Sequence, residues 1–218
     1  MKKRMKLFII TPLIIILILI FSSIGIYDYF FYPKTPVVST STNIKLDNWN
    51  LLKKFFPTGF NLSFKELSAE SNTIFSQEEL TDLAIAIINE MPEIKKYITG
   101  LRVDIENNHI NLYFHINYKN IPLEAKLIFS CKAEDGKGIF HYEDGKFGFI
   151  HIPKNLIFQN VHNNSFVQFN KENGDIILSF ETIKQLDVKN LQILNNDLVI
   201  NFKGTIRFWD WLKNNKAT

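Results

Sequence analysis

The stretch Leu101-Arg-Val-Asp-Ile-Glu-Asn-Asn-His-Ile-Asn-Leu-Tyr-Phe-His-Ile-Asn-Tyr118 holds two runs in which every second residue is apolar. Leu101, Val103 and Ile105 alternate with polar neighbours, Ile110, Leu112, Phe114, Ile116 and Tyr118 do the same, and Asn107-Asn108 lies between them. A period of two sends successive side chains to opposite faces of a strand, and asparagines tolerate the positive φ that a tight hairpin turn needs. The spacing predicts an antiparallel hairpin with one apolar face.

Toward the C-terminus, Leu123, Ala125, Leu127 and Phe129 continue the alternation. Asp135-Gly136 and Asp144-Gly145 read as turns bracketing Ile139 to Glu143, with Lys146 to Ile152 as the return strand. Pro153 opens Lys154 to His162, where Leu156, Ile157 and Val161 suit a short helix with proline in its first turn. Phe166 to Asn170 and Ile176 to Glu181 flank Asn173-Gly174 as a further hairpin. The last strand runs from about Asp197 to Phe208, with Leu198, Ile200, Phe202, Ile206 and Phe208 inward and Gly204 at a bend or bulge.

Toward the N-terminus, Ser76 and Glu79 form a capping box ahead of Leu80, Leu83, Ala84, Ile87, Ile88 and Met91, one stripe at helical spacing. Pro92 and Gly100 bracket the weaker repeat Ile94, Tyr97 and Ile98. From Lys45 to Phe56, Leu46, Trp49, Leu52, Phe55 and Phe56 predict a short amphipathic helix that covers one end of the core. The expected fold class is α+β: a curved antiparallel β-meander packed on one long helix, preceded by a single transmembrane helix.

That transmembrane helix is Leu7 to Ile26, fifteen Leu, Ile or Phe among twenty positions and no charge. Twenty helical residues at about 1.5 Å each span a roughly 30 Å hydrocarbon core. Lys2, Lys3, Arg4 and Lys6 precede it and the next basic residue is Lys34, so the positive-inside bias places the N-terminus in the cytoplasm. Tyr27, Tyr29 and Tyr32 supply an interfacial aromatic belt, and Pro33, Pro36 and Ser39 to Thr42 read as an extended spacer lifting the domain off the bilayer. The apolar run is too long for a cleaved signal peptide, and no cysteine follows it to take a lipid anchor. The expected organisation is a cytoplasmic tail at 1–6, a membrane helix at 7–27, a linker at 28–44 and an extracytoplasmic α+β domain at 45–218.

Composition narrows the partners. Without the four basic residues of the tail, 21 basic side chains face 22 acidic ones, too even a balance for a phosphate-neutralising surface, so no nucleic-acid partner is expected. Cys131 is the only cysteine, so the domain stands on its core without an internal disulfide, which fits a Gram-positive-like exterior.

No catalytic, metal or cofactor motif emerges. His109, His115, His141, His151 and His162 form no helical ligand pair, and no clear carboxylate partner is legible for them. Cys131 lacks a nucleophile context, and Glu78, Glu79 and Asp82 sit where a helix dipole explains them. What stands out is phenylalanine, twenty of them, on both faces of some strands: Phe140 with Tyr142, and Phe147 and Phe149 beside Ile150 and Ile152. Either the second face is covered, or the sheet forms a trough for an apolar ligand lined by Leu83, Ile87, Phe114, Phe129, Phe147, Phe149 and Phe202.

The opening Phe75-Ser76-Gln77-Glu78-Glu79-Leu80, the meander, Ile152-Pro153-Lys154-Asn155-Leu156 and the closing Leu198-Val199-Ile200-Asn201-Phe202 together resemble the YpmS-type family of Gram-positive bacteria. Thr81 stands where that pattern carries asparagine. The resemblance covers roughly Phe75 to Phe208 and implies a single N-terminal membrane helix with an outer α+β domain, without implying an activity. The functional expectation is a non-enzymatic, membrane-tethered binding module for a lipid or other apolar group. Its alternative is a structural or adaptor subunit of an envelope protein complex, docking through a sheet edge or Trp209 and Trp211.

Overall fold

The computed structural model describes residues 2–42, 53–54, 56–64, 66–159, 161, 163, 167–178 and 186–207, with backbone alone at 2–12 and 207. Helix α1, Lys2–Phe30, holds the apolar stretch Leu13–Phe30, whose mean hydropathy is 2.2 and none of which is buried in the domain. It is long and apolar enough to cross a membrane.

The quoted alternation folds as predicted. Strands β4 (Ile98–Glu106), β5 (His109–Tyr118), β6 (Ile121–Glu134) and β7 (Lys137–Phe147) pair antiparallel in sequence order. Three two-residue turns join them, and each has both central residues at positive φ: Asn107 and Asn108 (51° and 62°), Lys119 and Asn120 (50° and 66°), Asp135 and Gly136 (51° and 74°). That backbone matches the right-handed twist of the strands it joins. Beside β4 lies β1 (Val38–Ser39). Beyond β7 come β10 (Asp175–Leu178) and β9 (Val167–Asn170), while β8 (Ile150–His151) pairs the other end of β7.

The remaining strands make a separate sheet, where one was expected. Its order is β11 (Leu186–Leu194), β12 (Asp197–Arg207), β3 (Glu66–Phe75) and β2 (Gly59–Leu62). β3 and β12 pair along ten residues, from Phe75 against Leu198 to Glu66 against Arg207. Phe75, Val188, Leu191, Leu198, Ile200 and Phe202 of this sheet bury against Leu101, Val103, Ile105, Leu127 and Phe129 of the meander, forming one core. Each such fully buried side chain contributes roughly 1.5–3 kcal/mol.

The helix of this core, α2 (Gln77–Asn89), begins at the predicted capping box. Glu79 N donates to Ser76 Oγ at 3.2 Å and Ser76 N to Glu79 Oε2 at 3.0 Å. Leu80, Leu83, Ala84 and Ile88 of the expected stripe pack against the core, but the buried residues are Thr81 and Ile85 and Ile87 is 60% exposed, so the inward face is turned somewhat from that stripe. The rotation has a polar cause. Val103 N donates to Thr81 Oγ1 and Ile105 N to Gln77 Oε1, both at 2.9 Å, so α2 satisfies the edge of β4 that β1 leaves open.

Other expectations shift by local geometry. Asp144-Gly145 lies inside β7 and is not a turn. Phe129 pairs with Tyr142 and Ile128 with Asp144, so Glu143 is the extra residue of a bulge. The chain reverses instead at Gly148 (φ +61°), and only Ile150–His151 returns. Gly204 pairs Ala69 in unbroken register, the bulge of this sheet falling in β11 between Val188 and Asn190, and Ile206 is exposed. The short helices α3 (Pro92–Lys95) and α4 (Lys154–Phe158) follow Met91 and Pro153 as their N-caps, so Pro153 precedes the first turn of α4. Of the helix predicted at 45–56, only Lys53 and Lys54, which are helical, and Phe56 are described; the rest of it, Phe166, residues 179–181 and Phe208 lie outside the described residues.

Candidate functional site

Two places concentrate chemistry: a polar cleft on the outer face of the meander, and the seam where α1 meets the domain. In the cleft, strand pairing sets three polar residues in a row. His141 on β7 stands opposite Ser130 on β6 and opposite Asp175 on β10. His141 Nδ1 lies 2.6 Å from Asp175 Oδ1, and Asp175 is the more buried of the two. Lys132, Glu134, Ile139, Lys154, Asn170, Asn173 and Ile177 complete a concavity of about 770 Å³.

The lining of this cleft carries two lysines, Lys132 and Lys154, and two carboxylates, Glu134 and Asp175. Lys132 Nζ sits 2.5 Å from Glu134 Oε2, and that hydrogen bond raises its pKa. Lys154 Nζ donates to the Glu172 carbonyl. In the neutral His141 ring, an Nδ1–H donated to Asp175 leaves Nε2 as the acceptor. Ser130 does not serve that acceptor, because its hydroxyl donates to Glu143 Oε1 at 2.6 Å. Cys131, next along the strand, packs against the core, and burial pushes its thiol up to about 11, far from a reactive thiolate at neutral pH.

Three of the histidines do have acidic neighbours, against expectation, while His109 Nδ1 meets the Asn107 carbonyl at 2.8 Å. Besides His141 with Asp175, His151 Nδ1 lies 3.0 Å from Asp144 Oδ1 and His115 Nε2 lies 3.5 Å from Glu124 Oε2. Burial alone would raise the Asp144 pKa, but hydrogen bonds from His151 and the Gly145 N–H hold it below the usual carboxylate value. These pairs were illegible because each joins residues that only strand register or chain reversal brings together. His141 and His151 keep separate carboxylates, and among the described residues no group of three His, Cys, Asp or Glu is placed to hold a metal. His162, Trp209 and Trp211 lie outside the described residues.

The seven residues expected to line an apolar trough are dispersed. Phe129 and Phe202 are buried core residues, Leu83 and Phe114 pack against that core, and Ile87 points to solvent. Phe147 and Phe149 instead meet the end of α1: the Phe31 ring lies 5.3 Å from each, edge-on, and Phe30 lies 5.3 Å from Phe149.

Those ring contacts belong to a continuous seam. Tyr27 Oη donates to Pro122 O at 2.7 Å, and Glu124 N donates to Phe31 O at 2.9 Å. Lys34 N and Thr35 N donate to Glu124 Oε2 at 3.0 and 2.8 Å. Val38 and Ser39 then pair with Leu101 and Gly100, and buried Thr40 donates through Oγ1 to Ile98 O at 2.7 Å. The expected spacer is thus extended but lies along the domain, because β4 offers it an open strand edge. No family model, curated protein or solved structure matches the chain, so its own groups alone indicate what these places do.

Proposed function

We propose that this protein is a single-pass, membrane-tethered module with its N-terminus in the cytoplasm and its β-domain outside, and that it binds a hydrophilic, uncharged or zwitterionic ligand in the His141 cleft without catalysing a reaction. The observation that carries the reading is the balance of charge on the cleft walls, two lysines against two carboxylates. Lys132 and Lys154 face Glu134 and Asp175, with Lys132 paired to Glu134 and Asp175 hydrogen-bonded to His141, so the walls favour a ligand that exchanges hydrogen bonds over one that brings net charge. Ile139 and Ile177 add apolar surface beside Ser130, Asn170 and Asn173, a combination suited to a sugar or polyol. An apolar ligand in the interior has less support, since Phe129 and Phe202 are already committed to the core.

The basic tail and the uncharged span support the orientation. Protease added to intact cells should remove a C-terminal tag and spare an N-terminal one; the reverse pattern would overturn the topology. Binding is tested with full-length protein in nanodiscs against a panel of neutral and charged oligosaccharides. Saturable binding of a neutral member, lost in His141→Ala, is expected. Binding that His141→Ala leaves intact, or a protein crosslinked stoichiometrically at the cleft with no sugar bound, would replace the reading with a docking surface.

A further inference from the structure

The seam places one end of the meander at the same level as the last turn of α1. Tyr27, whose hydroxyl reaches Pro122 O, lies three residues before the end of the helix, about 4.5 Å along its axis. The β5–β6 turn therefore comes down beside the apolar stretch Leu13–Phe30, and does not hang above it. The residues around it are apolar and exposed: Tyr118 is 51% exposed and Ile121 48%, with Phe149 at 58% and Ile150 at 49% on the neighbouring β7–β8 turn. Tyr97, whose carbonyl accepts from Asn117 N, adds a further exposed ring at this end.

Lysines accompany these rings. Lys34 Nζ lies 5.0 Å from the Tyr29 ring centre, Lys96 Nζ 4.8 Å from Tyr97 and Lys119 Nζ 5.4 Å from Tyr118. Aromatic rings with long cationic stems are the side chains that settle between acyl chains and phosphates, the ring in the apolar edge and the ammonium among the headgroups.

Resting on the reading that α1 spans a membrane, we infer that this end of the domain is itself a lipid-contacting surface. Tyr97, Tyr118, Ile121, Phe149 and Ile150 lie in the interfacial layer of the leaflet that α1 leaves, and Lys96 and Lys119 meet its phosphates. The occupant is a bilayer surface, since the collar is continuous with the apolar helix and fixed to it by the Tyr27 and Phe31 bonds. The domain consequently stands in one orientation, with the His141 cleft about 20 Å further out along β7.

The test uses the full chain with Cys131→Ser, one nitroxide-labelled cysteine at a time, in nanodiscs of phosphatidylcholine with phosphatidylglycerol. Labels replace Leu17 in the span, Tyr118 and Ile121 in the collar, and Asn108 and Asp135 at the opposite end of the meander. Oxygen accessibility relative to a water-soluble nickel complex should be highest at 17, severalfold higher at 118 and 121 than at 108 and 135, and lower at 118 and 121 after Lys119→Glu. If 118 and 121 are as aqueous as 108 and 135 while 17 is buried, the collar is refuted and the span stands. An aqueous label at 17 refutes the span, and the collar with it.

Discussion

The two ends of the meander are built on the same turn and dressed differently. At the far end, Asn107-Asn108 is flanked by Glu106 and His109, and Asp135-Gly136 by Glu134 and Lys137. At the near end, Lys119-Asn120 adopts the same left-handed pair of dihedrals, yet its flanks are exposed Tyr118 and Ile121. Turn geometry constrains only the central pair, so the fold does not require apolar flanks at one end and polar ones at the other. On the inferred topology, the contrast reflects a bilayer at one end and water at the other.

The largest effect should come from breaking the seam at Gly148. A Cβ there would lie 2.6 to 2.9 Å from the Phe31 ring on a backbone at φ +61°, so Gly148→Ala should cost about 2–3 kcal/mol and loosen α1 from the sheet. At the far end, a Cβ on Gly136 would meet Asp187 Oδ1 at 2.9 Å, the tip of a side chain that can swing away, and Gly136→Ala should cost about 1 kcal/mol. Denaturant titration of both variants in the same micelle checks the order; equal losses would mean that the near end is no more constrained than the far one.

Next is Glu124→Ala, which strips two backbone N–H groups of their acceptor and should cost about 1–2 kcal/mol. Hydrogen exchange at the Lys34 and Thr35 amides should accelerate in this variant and recover substantially in Glu124→Gln, which keeps an acceptor. Exchange at Val103 and Ile105, held by α2, should not change.

At the head of α2, burial works to raise the Glu79 pKa, but the Lys54 ammonium and the Ser76 N–H outweigh it and hold the carboxyl below its usual value. A lowered folded pKa gives stability that is complete above the ordinary carboxylate range and is lost as pH falls through the folded value. Glu79→Gln should therefore be less stable than the parent at neutral pH, by about 0.5 kcal/mol once solvent screening of this 41% exposed carboxylate is allowed for, with the gap closing in acid. A gap that persists in acid would assign the loss to packing. The smallest effect belongs to the collar: Tyr118→Asn with Ile121→Lys, which copies a polar end, should change stability in detergent by under about 0.5 kcal/mol.

The meander, the capping box and most turns were legible because period-two alternation and turn residues are local signals. β3 was not, since its inward residues include Ser71 and Thr73, which donate to the Lys54 carbonyl and leave little apolar alternation. β11 was hidden by its bulge, which shifts the phase between Val188 and Leu191. In β7 the bulge at Glu143 displaced Asp144-Gly145 from the turn its residues suggest. The His141 row and the Glu124 seam depend on register between strands, and no spacing along the chain encodes it.

The pairing of β3 with β12 has a consequence in time. Phe75 and Leu198, partners in the core, are separated by almost the whole domain, so closing that pair requires a long chain loop to be drawn together after the local hairpins have formed. β12 is also the last of the described strands to be synthesised. On the proposed topology, the meander would stand beside the bilayer during export with its inner face uncovered until that strand arrives, an interval in which a chaperone or a fast-forming helix cap matters more than final stability.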